Sequence, residues 1–166
     1  MPDFRASEKI FSLMVQLAGR SGRGDEKGKV IIQTLNENHP VFEFIVKQDY
    51  WGFYKSELKL RKMLNYPPFS RLARLVVRGS VLEKVSAVSE NLSDEIDTVI
   101  DKTGVSVEKL GPAEAPVSRI GGNYRYHIIL KGNSLKDVTD LIKNAIKNVK
   151  PGKTYIEVDI DPVEML

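Results

Sequence analysis

The fold is decided by residues 72–104, which read LARLVVRGSVLEKVSAVSENLSDEIDTVIDKTG. The stretch opens with a run rich in Leu and Val at residues 72–78, which predicts a strand closed by a glycine. Apolar residues then recur three or four positions apart from Leu82 to Val99, which is the spacing of one helix face, and Gly104 marks the end of that helix. A strand is therefore followed directly by a long amphipathic helix.

The rest of the chain after this stretch repeats the pattern. Strands are predicted at residues 105–110, 124–131 and 155–160, and helical spacing returns between the last two, over residues 135–149. The resulting order, β-α-β-β-α-β, is the split βαβ order of a ferredoxin-like sandwich. We therefore predict an α+β domain in which two helices cover one face of a four-stranded antiparallel sheet.

The residues that precede this domain follow another pattern. Apolar residues at helical spacing predict a helix over residues 8–18, and the β-branched run at residues 30–34 predicts a buried strand. A helical, aromatic-rich segment starts at Pro40 and stops at residues 66–69, YPPF, because each proline lacks an amide donor and restricts the residue before it. The predicted domain boundaries are 1–38, 39–69 and 70–166.

Composition excludes several classes of site. The 166 residues are 42% hydrophobic and 28% charged, as in soluble globular proteins. No apolar run approaches the roughly 20 residues of a membrane span and no signal peptide opens the chain, so we expect a cytoplasmic protein without a membrane partner. The absence of cysteine excludes disulfides and thiolate zinc sites. His39 and His127 are the only histidines, and we predict no metal site in this chain.

One octet carries recognisable chemistry. Residues 16–23, QLAGRSGR, fit Q-x-x-G-R-x-G-R, the sixth motif of superfamily 2 helicases. Its glycines let the backbone turn sharply, and Arg20 and Arg23 are close enough in sequence to reach one anionic group. The planar fork of arginine binds phosphate oxygens bidentately and keeps its charge. A solvated Gly/Arg loop is the alternative interpretation.

A basic and aromatic cluster suggests a DNA contact. In a strand, Tyr124 lies on one face and Arg125 on the other, so a single ligand also needs the loop residues Arg119 and Asn123. The predicted DNA-binding residues are Arg119, Asn123, Tyr124, Arg125 and Lys131. The alternative is a strand with a purely structural role.

Two other basic regions leave alternatives open. Residues 55–78 mix lysines and arginines with Tyr54, Tyr66 and Phe69, and form either a solvated surface or a second surface for the DNA backbone. The predicted helix over residues 135–149 displays lysines that either increase solubility or bind an acidic partner tail.

Segments spread along the whole chain resemble the family of primosomal protein N-prime, the PriA replication-restart helicases. They are PDFRASE (2–8), VIIQT (30–34), HP (39–40), YPPFS (66–70), LGPAEAP (110–116), YRY (124–126) and DIDP (159–162). The resemblance implies the tail of a RecA-like helicase lobe, a helical connector and a C-terminal domain. Because the chain has no G-x-x-x-x-G-K-[ST] phosphate loop, we expect it to be a piece of a longer protein.

The resemblance also implies a function, that of an ATP-dependent DNA helicase of the primosome that recognises stalled or branched forks and restarts replication. It implies that Arg23 is the arginine finger on the γ-phosphate, that Arg20 is a second phosphate contact, and that Gln16 and Gly19 belong to the ATP site. ATP and magnesium would act only in the full-length protein, zinc would bind in the part that this chain lacks, and the chain alone would be inactive.

The partners implied by the resemblance are branched and single-stranded DNA, single-stranded DNA-binding protein with its acidic tail, and other primosome proteins. A stand-alone nucleic-acid- or protein-binding module without enzymatic activity is the alternative, because a ferredoxin-like sandwich is a common binding fold.

Overall fold

The computed structural model describes residues 3–21 and 29–163, which fall into two compact units, Asp3–Met63 and the unit that starts at Leu64. The first unit contains three helices, α1 (Ala6–Arg20), α2 (Val41–Lys47) and α3 (Tyr50–Met63). The second contains β1 (Arg71–Gly79), α4 (Leu82–Thr103), β2 (Val107–Ile120), β3 (Asn123–Gly132), α5 (Leu135–Asn148) and β4 (Tyr155–Ile160). Within the described residues, no helix combines the length and the apolar character of a membrane span.

The second unit has the predicted α+β architecture. Its four strands form one sheet in the order β2-β3-β1-β4, with every neighbouring pair antiparallel. Strand β1 is central, and its Val77 lies opposite Tyr126 of β3 on one side and Ile156 of β4 on the other. The βαββαβ prediction is therefore confirmed in its elements and in their order.

The core of this unit lies between the sheet and the two helices. Alternate residues of each strand point to one face of the sheet, and on that face Leu75 and Leu130 are fully buried against Leu92 and Ile96 of α4. Helix α5 adds a buried apolar stripe with its own side-chain cap, since Ser134 accepts a hydrogen bond from the Asp137 amide, at 3.3 Å. Val138, Leu141, Ile142 and Ala145 form that stripe.

Strand β2 differs from the prediction, which ended it at Leu110. The strand continues to Ile120, with register shifts between Leu110 and Ala113 and between Glu114 and Arg119. Gly111 adopts φ +95°, a conformation that suits glycine, and so permits the first irregularity. Because β2 lies at the edge of the sheet, prolines within it do not interrupt hydrogen bonding to a second neighbour.

The first unit packs its helices around aromatic rings. Phe11 of α1 and Phe53 of α3 stack with their centroids 4.3 Å apart and their planes 4° apart, beside the buried Val41 and Ile45 of α2. The predicted aromatic helical segment divides into α2 and α3 at Gln48, whose φ is +52°.

The predicted strand at residues 30–34 is wrong. Residues 29–34 are irregular, and Ile31 is 82% exposed. A β-branched run needs a neighbouring strand, and the described part of this unit contains helices only. The RecA-like lobe and the three domain ranges remain predictions.

Candidate nucleic-acid interface

The sheet face opposite the two helices carries charged side chains from three of the strands. Because side chains alternate along a strand, Arg74 and Arg78 of β1 lie on this face, opposite the core residues of the same strand. Arg125 of β3 lies directly across from Arg78. We call this surface the arginine face, and it consists of Arg74, Arg78, Arg125, His127, Tyr155, Glu157 and Asp159.

Carboxylates of β4 pair with the arginines of β1. Arg74 forms an ion pair with Asp159, with a nitrogen–oxygen distance of 3.2 Å, and Arg78 forms one with Glu157. The Arg78 guanidinium also lies 4.9 Å from the centroid of the Tyr155 ring. The positive charge of β1 is thus balanced within the sheet, so the β1 part of the basic stretch at residues 55–78 offers less charge to an anion than its sequence suggests.

Arg125 is different because its charge is not balanced. Its guanidinium donates a hydrogen bond to the Val117 carbonyl, at 3.3 Å, and no carboxylate lies within ion-pair distance of it among residues 3–21 and 29–163. Arg125 lies one strand away from Arg78, and this part of the arginine face therefore carries more positive than negative charge. An anionic group is the natural complement of such a surface.

Four predicted residues lie near the end of the β2–β3 hairpin, on two faces of the sheet: Tyr124 and its partner Arg119 lie on the face toward the helices, and Arg125 lies on the arginine face. Arg119 lies opposite Tyr124 in the register, and its guanidinium carbon is 4.9 Å from the centroid of the Tyr124 ring. This cation–π contact orients a guanidinium that has no carboxylate partner in the described part of the chain. Asn123 is next in the register, and its side-chain amide donates to the Gly121 carbonyl, at 3.4 Å. We call Arg119, Asn123, Tyr124 and Arg125 the hairpin cluster.

Lys131 does not join the hairpin cluster. It lies at the other end of β3, about 23 Å from Tyr124 at the usual rise of a strand. The residue is 6% exposed; its ammonium is 2.7 Å from a Glu108 carboxylate oxygen and donates to the Leu64 carbonyl, at 3.3 Å. It is also 4.9 Å from the centroid of the Tyr66 ring. Its placement favours a structural role over the predicted DNA contact.

The surroundings of Lys131 also affect Tyr66. Burial raises the pKa of the Tyr66 hydroxyl above 10.0, and the negative charge of Glu108 raises it further. The ring is therefore a neutral partner for the Lys131 ammonium at physiological pH.

His127 is the buried titratable group of the arginine face. It is 3% exposed, and its Nδ1 has no hydrogen-bond partner among the residues that the structure describes. Burial lowers its pKa below 6.5, and the positive charges of Arg74 and Arg125 lower it further. His127 is therefore a packed, neutral residue. His39 accepts a hydrogen bond from the Val41 amide at the start of α2, at 3.3 Å.

The helicase-like octet is only partly described. Gln16, Gly19 and Arg20 are exposed in the last turns of α1, where Gln16 and Arg20 share one side because they are four residues apart. Arg23 lies outside the described residues. Two exposed side chains and a glycine do not enclose a nucleotide, and the sequence contains no G-x-x-x-x-G-K-[ST] motif that would form a phosphate loop. The described part of the octet therefore does not form an ATP site by itself.

Tyr155 and Glu157 of the arginine face are not among the predicted site residues. The signal was present, since Tyr155, Glu157 and Asp159 alternate with Ile156, Val158 and Ile160, which places them together on the face away from the helices. Among the described residues, no group of three or more acidic or histidine side chains is arranged to hold a metal ion.

A family profile and several related proteins place the chain in the same family. The profile of the family described as "Primosomal protein N C-terminal domain" matches residues 62–163. Three relatives, each named "Replication restart protein PriA", are 37% identical over 98% of this chain (Synechocystis sp.), 38% over 99% (Treponema pallidum) and 34% over 100% (Borreliella burgdorferi).

These matches cover only part of each relative. The chain spans 19% of the length of the Synechocystis protein and 25% of each of the other two. Among solved structures, a de novo designed protein, Foldit4, matches 57% of this chain and 99% of its own, with a TM-score of 0.44 and 15% identity, too slight a likeness for any inference. The chain therefore belongs to the PriA family, and residues 62–163 are its primosomal protein N C-terminal domain.

Proposed function

We propose that this chain is the DNA-contacting C-terminal part of a PriA-type helicase, which recognises stalled or branched forks and restarts DNA replication in the cytoplasm. The observation that carries the proposal is the hairpin cluster, where Arg119 and Arg125 have no carboxylate partner among the described residues. The names of the relatives and the helicase-like octet support the same function.

Binding at the hairpin cluster would depend mainly on phosphate contacts. Each arginine that neutralises a phosphate releases a counterion, which makes affinity depend on salt and only weakly on sequence. The Tyr124 ring holds Arg119 in place, so less side-chain entropy is lost when a phosphate binds. Arg78 would contribute less, because Glu157 competes with phosphate for its guanidinium.

The test is the anisotropy of a labelled forked DNA with the whole chain at several salt concentrations. Each phosphate contact contributes about 0.9 to the log–log salt slope, so Arg119→Ala with Arg125→Ala should reduce the slope by about 1.8. The matched control is Lys143→Ala with Lys147→Ala, which removes the same charge from exposed positions on α5. An unchanged slope in the arginine variant, or an equal decrease in the control, would refute the proposal.

ATP hydrolysis belongs, in this proposal, to the longer protein. The isolated chain should not hydrolyse ATP, because phosphoryl transfer needs a phosphate loop with magnesium bound beside it, and the sequence lacks that loop. In a full-length protein that contains this sequence, Arg23→Ala should reduce ATP turnover by roughly 10³-fold, as loss of an arginine finger does elsewhere. Turnover at the wild-type rate in that variant would remove Arg23 from the mechanism.

A protein partner is proposed for a second surface. Ile142 and Ile146 of α5 and Val158 and Ile160 of β4 line an apolar groove, and exposed lysines of α5 lie beside it. An apolar groove bordered by lysines suits an acidic segment with an apolar side chain, such as the tail of single-stranded DNA-binding protein. Lys143→Ala with Lys147→Ala should weaken the binding of an acidic tail peptide, measured by titration calorimetry, and equal affinity would refute this assignment.

A further inference from the structure

Three exposed aromatic rings lie together on α3, in the first unit. Tyr50, Trp51 and Tyr54 are 56%, 67% and 44% exposed, an unusual exposure for adjacent large rings. The Tyr50 and Tyr54 rings are nearly parallel, 13° apart with centroids 6.4 Å apart. Trp51 contacts both rings edge-on, with centroid distances of 5.5 Å to Tyr50 and 6.0 Å to Tyr54. We call these three residues the α3 aromatic surface.

Contacts with buried residues of the first unit hold the α3 aromatic surface in place. Tyr50 contacts the buried Phe11, with centroids 6.2 Å apart and planes tilted by 52°, and Phe11 stacks on the buried Phe53. Asp49 accepts a hydrogen bond from the Gly52 amide, at 2.8 Å, which fixes the first turn of α3. A flat ligand that stacks on these rings would therefore find them already oriented.

The charged side chains on the Trp51 side of α3 are lysines, whereas Glu8 and Glu57 line a pocket with Tyr50 and Tyr54. Lys55, Lys59 and Lys62 are exposed, and within residues 3–21 and 29–163 no carboxylate lies within ion-pair distance of them. Glu57 is the only carboxylate in the α3 sequence, and it pairs with Arg61, with a nitrogen–oxygen distance of 3.1 Å. Lys55 and Lys62 lie on the same side of the helix as Trp51, within about 40° at 100° per residue.

We propose that the α3 aromatic surface stacks with the bases of single-stranded nucleic acid while Lys55, Lys59 and Lys62 neutralise its phosphates. Exposed rings beside unpaired lysines are the combination by which proteins bind single strands without reading sequence. We choose a nucleic acid as the partner because the rings offer faces on which bases stack and the lysines can neutralise phosphates, and anionic vesicles are included in the test. This inference rests on the proposed function for the choice of DNA, but it uses a different unit of the chain.

The fluorescence of Trp51 can report binding at the α3 aromatic surface. Trp51 is the only tryptophan in the chain, so its fluorescence reports stacking at the α3 aromatic surface alone. The whole chain is titrated with a dT 20-mer and with an abasic 20-mer that has the same phosphates but no bases. The dT strand should quench Trp51 to saturation, whereas the abasic strand should bind without quenching.

Variants then separate the contribution of ring stacking from that of the lysine–phosphate contacts. Tyr54→Ala should weaken dT binding at least about fivefold, the low end for one stacked base, and should leave abasic binding unchanged. Lys55→Ala with Lys62→Ala should weaken both strands and reduce the salt slope by about 1.4, at 0.7 per phosphate on a single strand. Leu35→Ala, at a fully exposed position of the same unit, is the control and should change neither.

The experiment distinguishes a failure of the α3 proposal from a failure of the proposed function. If labelled dT binds by anisotropy but does not quench Trp51, or if the abasic strand quenches equally, the α3 proposal is wrong and the hairpin cluster stands. A response of Trp51 to anionic vesicles without any response to dT would also refute it, in favour of a lipid surface. If neither forked nor single-stranded DNA binds in any assay, the proposed function itself fails. The dT and abasic comparison needs no variant, so it holds even if Tyr54→Ala misfolds.

Discussion

Glu108→Gln should destabilise the second unit by leaving the Lys131 ammonium without its carboxylate. Removing one partner of a fully buried ion pair costs about 3–5 kcal/mol. The Glu108 side chain is 50% exposed, so water can replace part of the lost interaction, and the Leu64 carbonyl and the Tyr66 ring still contact the ammonium. We therefore expect a loss of about 2 kcal/mol in the free energy of unfolding, between the values for buried and for exposed pairs.

Lys131→Met provides the matched comparison. Methionine keeps much of the apolar length of the side chain and removes the charge, and the half-exposed Glu108 can then be hydrated. We expect a loss below about 1 kcal/mol. The double variant should be more stable than Glu108→Gln alone, because it contains no unpaired buried charge.

The measurement is urea unfolding of the whole chain followed by far-UV circular dichroism. With a slope of roughly 1–1.5 kcal/mol/M for a unit of this size, Glu108→Gln should lower the urea midpoint of the second unit by about 1.5 M. Trp51 fluorescence, which reports the first unit, should keep its own midpoint. The reasoning fails if Glu108→Gln is as stable as the wild type, or if the double variant loses the sum of the two single losses. A DNA salt slope that falls by about one in Lys131→Met would restore Lys131 as a phosphate contact.

Three further outcomes are expected. Burial alone would raise the pKa of Glu8, but hydrogen bonds from Arg5 and Arg61, with their charges, lower it below 4.5. The stability that this contributes is present above pH 4.5 and is lost as the pH falls below it. Measured by circular dichroism, Glu8→Gln should therefore be less stable than the wild type at pH 7 and equal to it at low pH. Because the pKa of His127 is lowered below 6.5, the folded state binds fewer protons than the unfolded state, so stability should decrease as pH falls through 6.5, and thermal melts of His127→Gln should lack that decrease. At Gly132 an added Cβ would lie 2.8 Å from a Val138 methyl carbon, so Gly132→Ala should cost about 1–3 kcal/mol of overpacking and lower the melting temperature by several degrees. An unchanged melting temperature would contradict this expectation.

Much of the second unit could be predicted because its signals are local. Apolar spacing predicts strands β1, β3 and β4 and helices α4 and α5, because each buries one face against the same core. The predicted β2 ends at Leu110 because Gly111–Pro112 suggests a turn, and only the pairing with β3 shows that the strand resumes after the irregularity. The run at residues 30–34 failed for the opposite reason: its composition suits a strand, but a strand also needs a partner.

The hairpin cluster was predictable to the extent that it is close in sequence. Arg119, Asn123 and Tyr124 meet because a short hairpin turn joins their strands. Lys131 could have been excluded beforehand, since seven residues of extended strand separate it from Tyr124 by more than the reach of a side chain. The balancing of Arg78 by Glu157 could not be read in the same way, because it depends on β4 pairing with β1 across a long stretch of chain.

The way the two outer strands end the sheet has a consequence for solubility. An unprotected outer strand offers its free amides and carbonyls to another chain and so promotes aggregation. Here β2 carries two prolines and two register shifts, which deprive an incoming strand of a regular ladder. At the opposite side, β4 is only six residues long and carries Glu157 and Asp159. These features keep the second unit from pairing with other chains through the backbone of its outer strands.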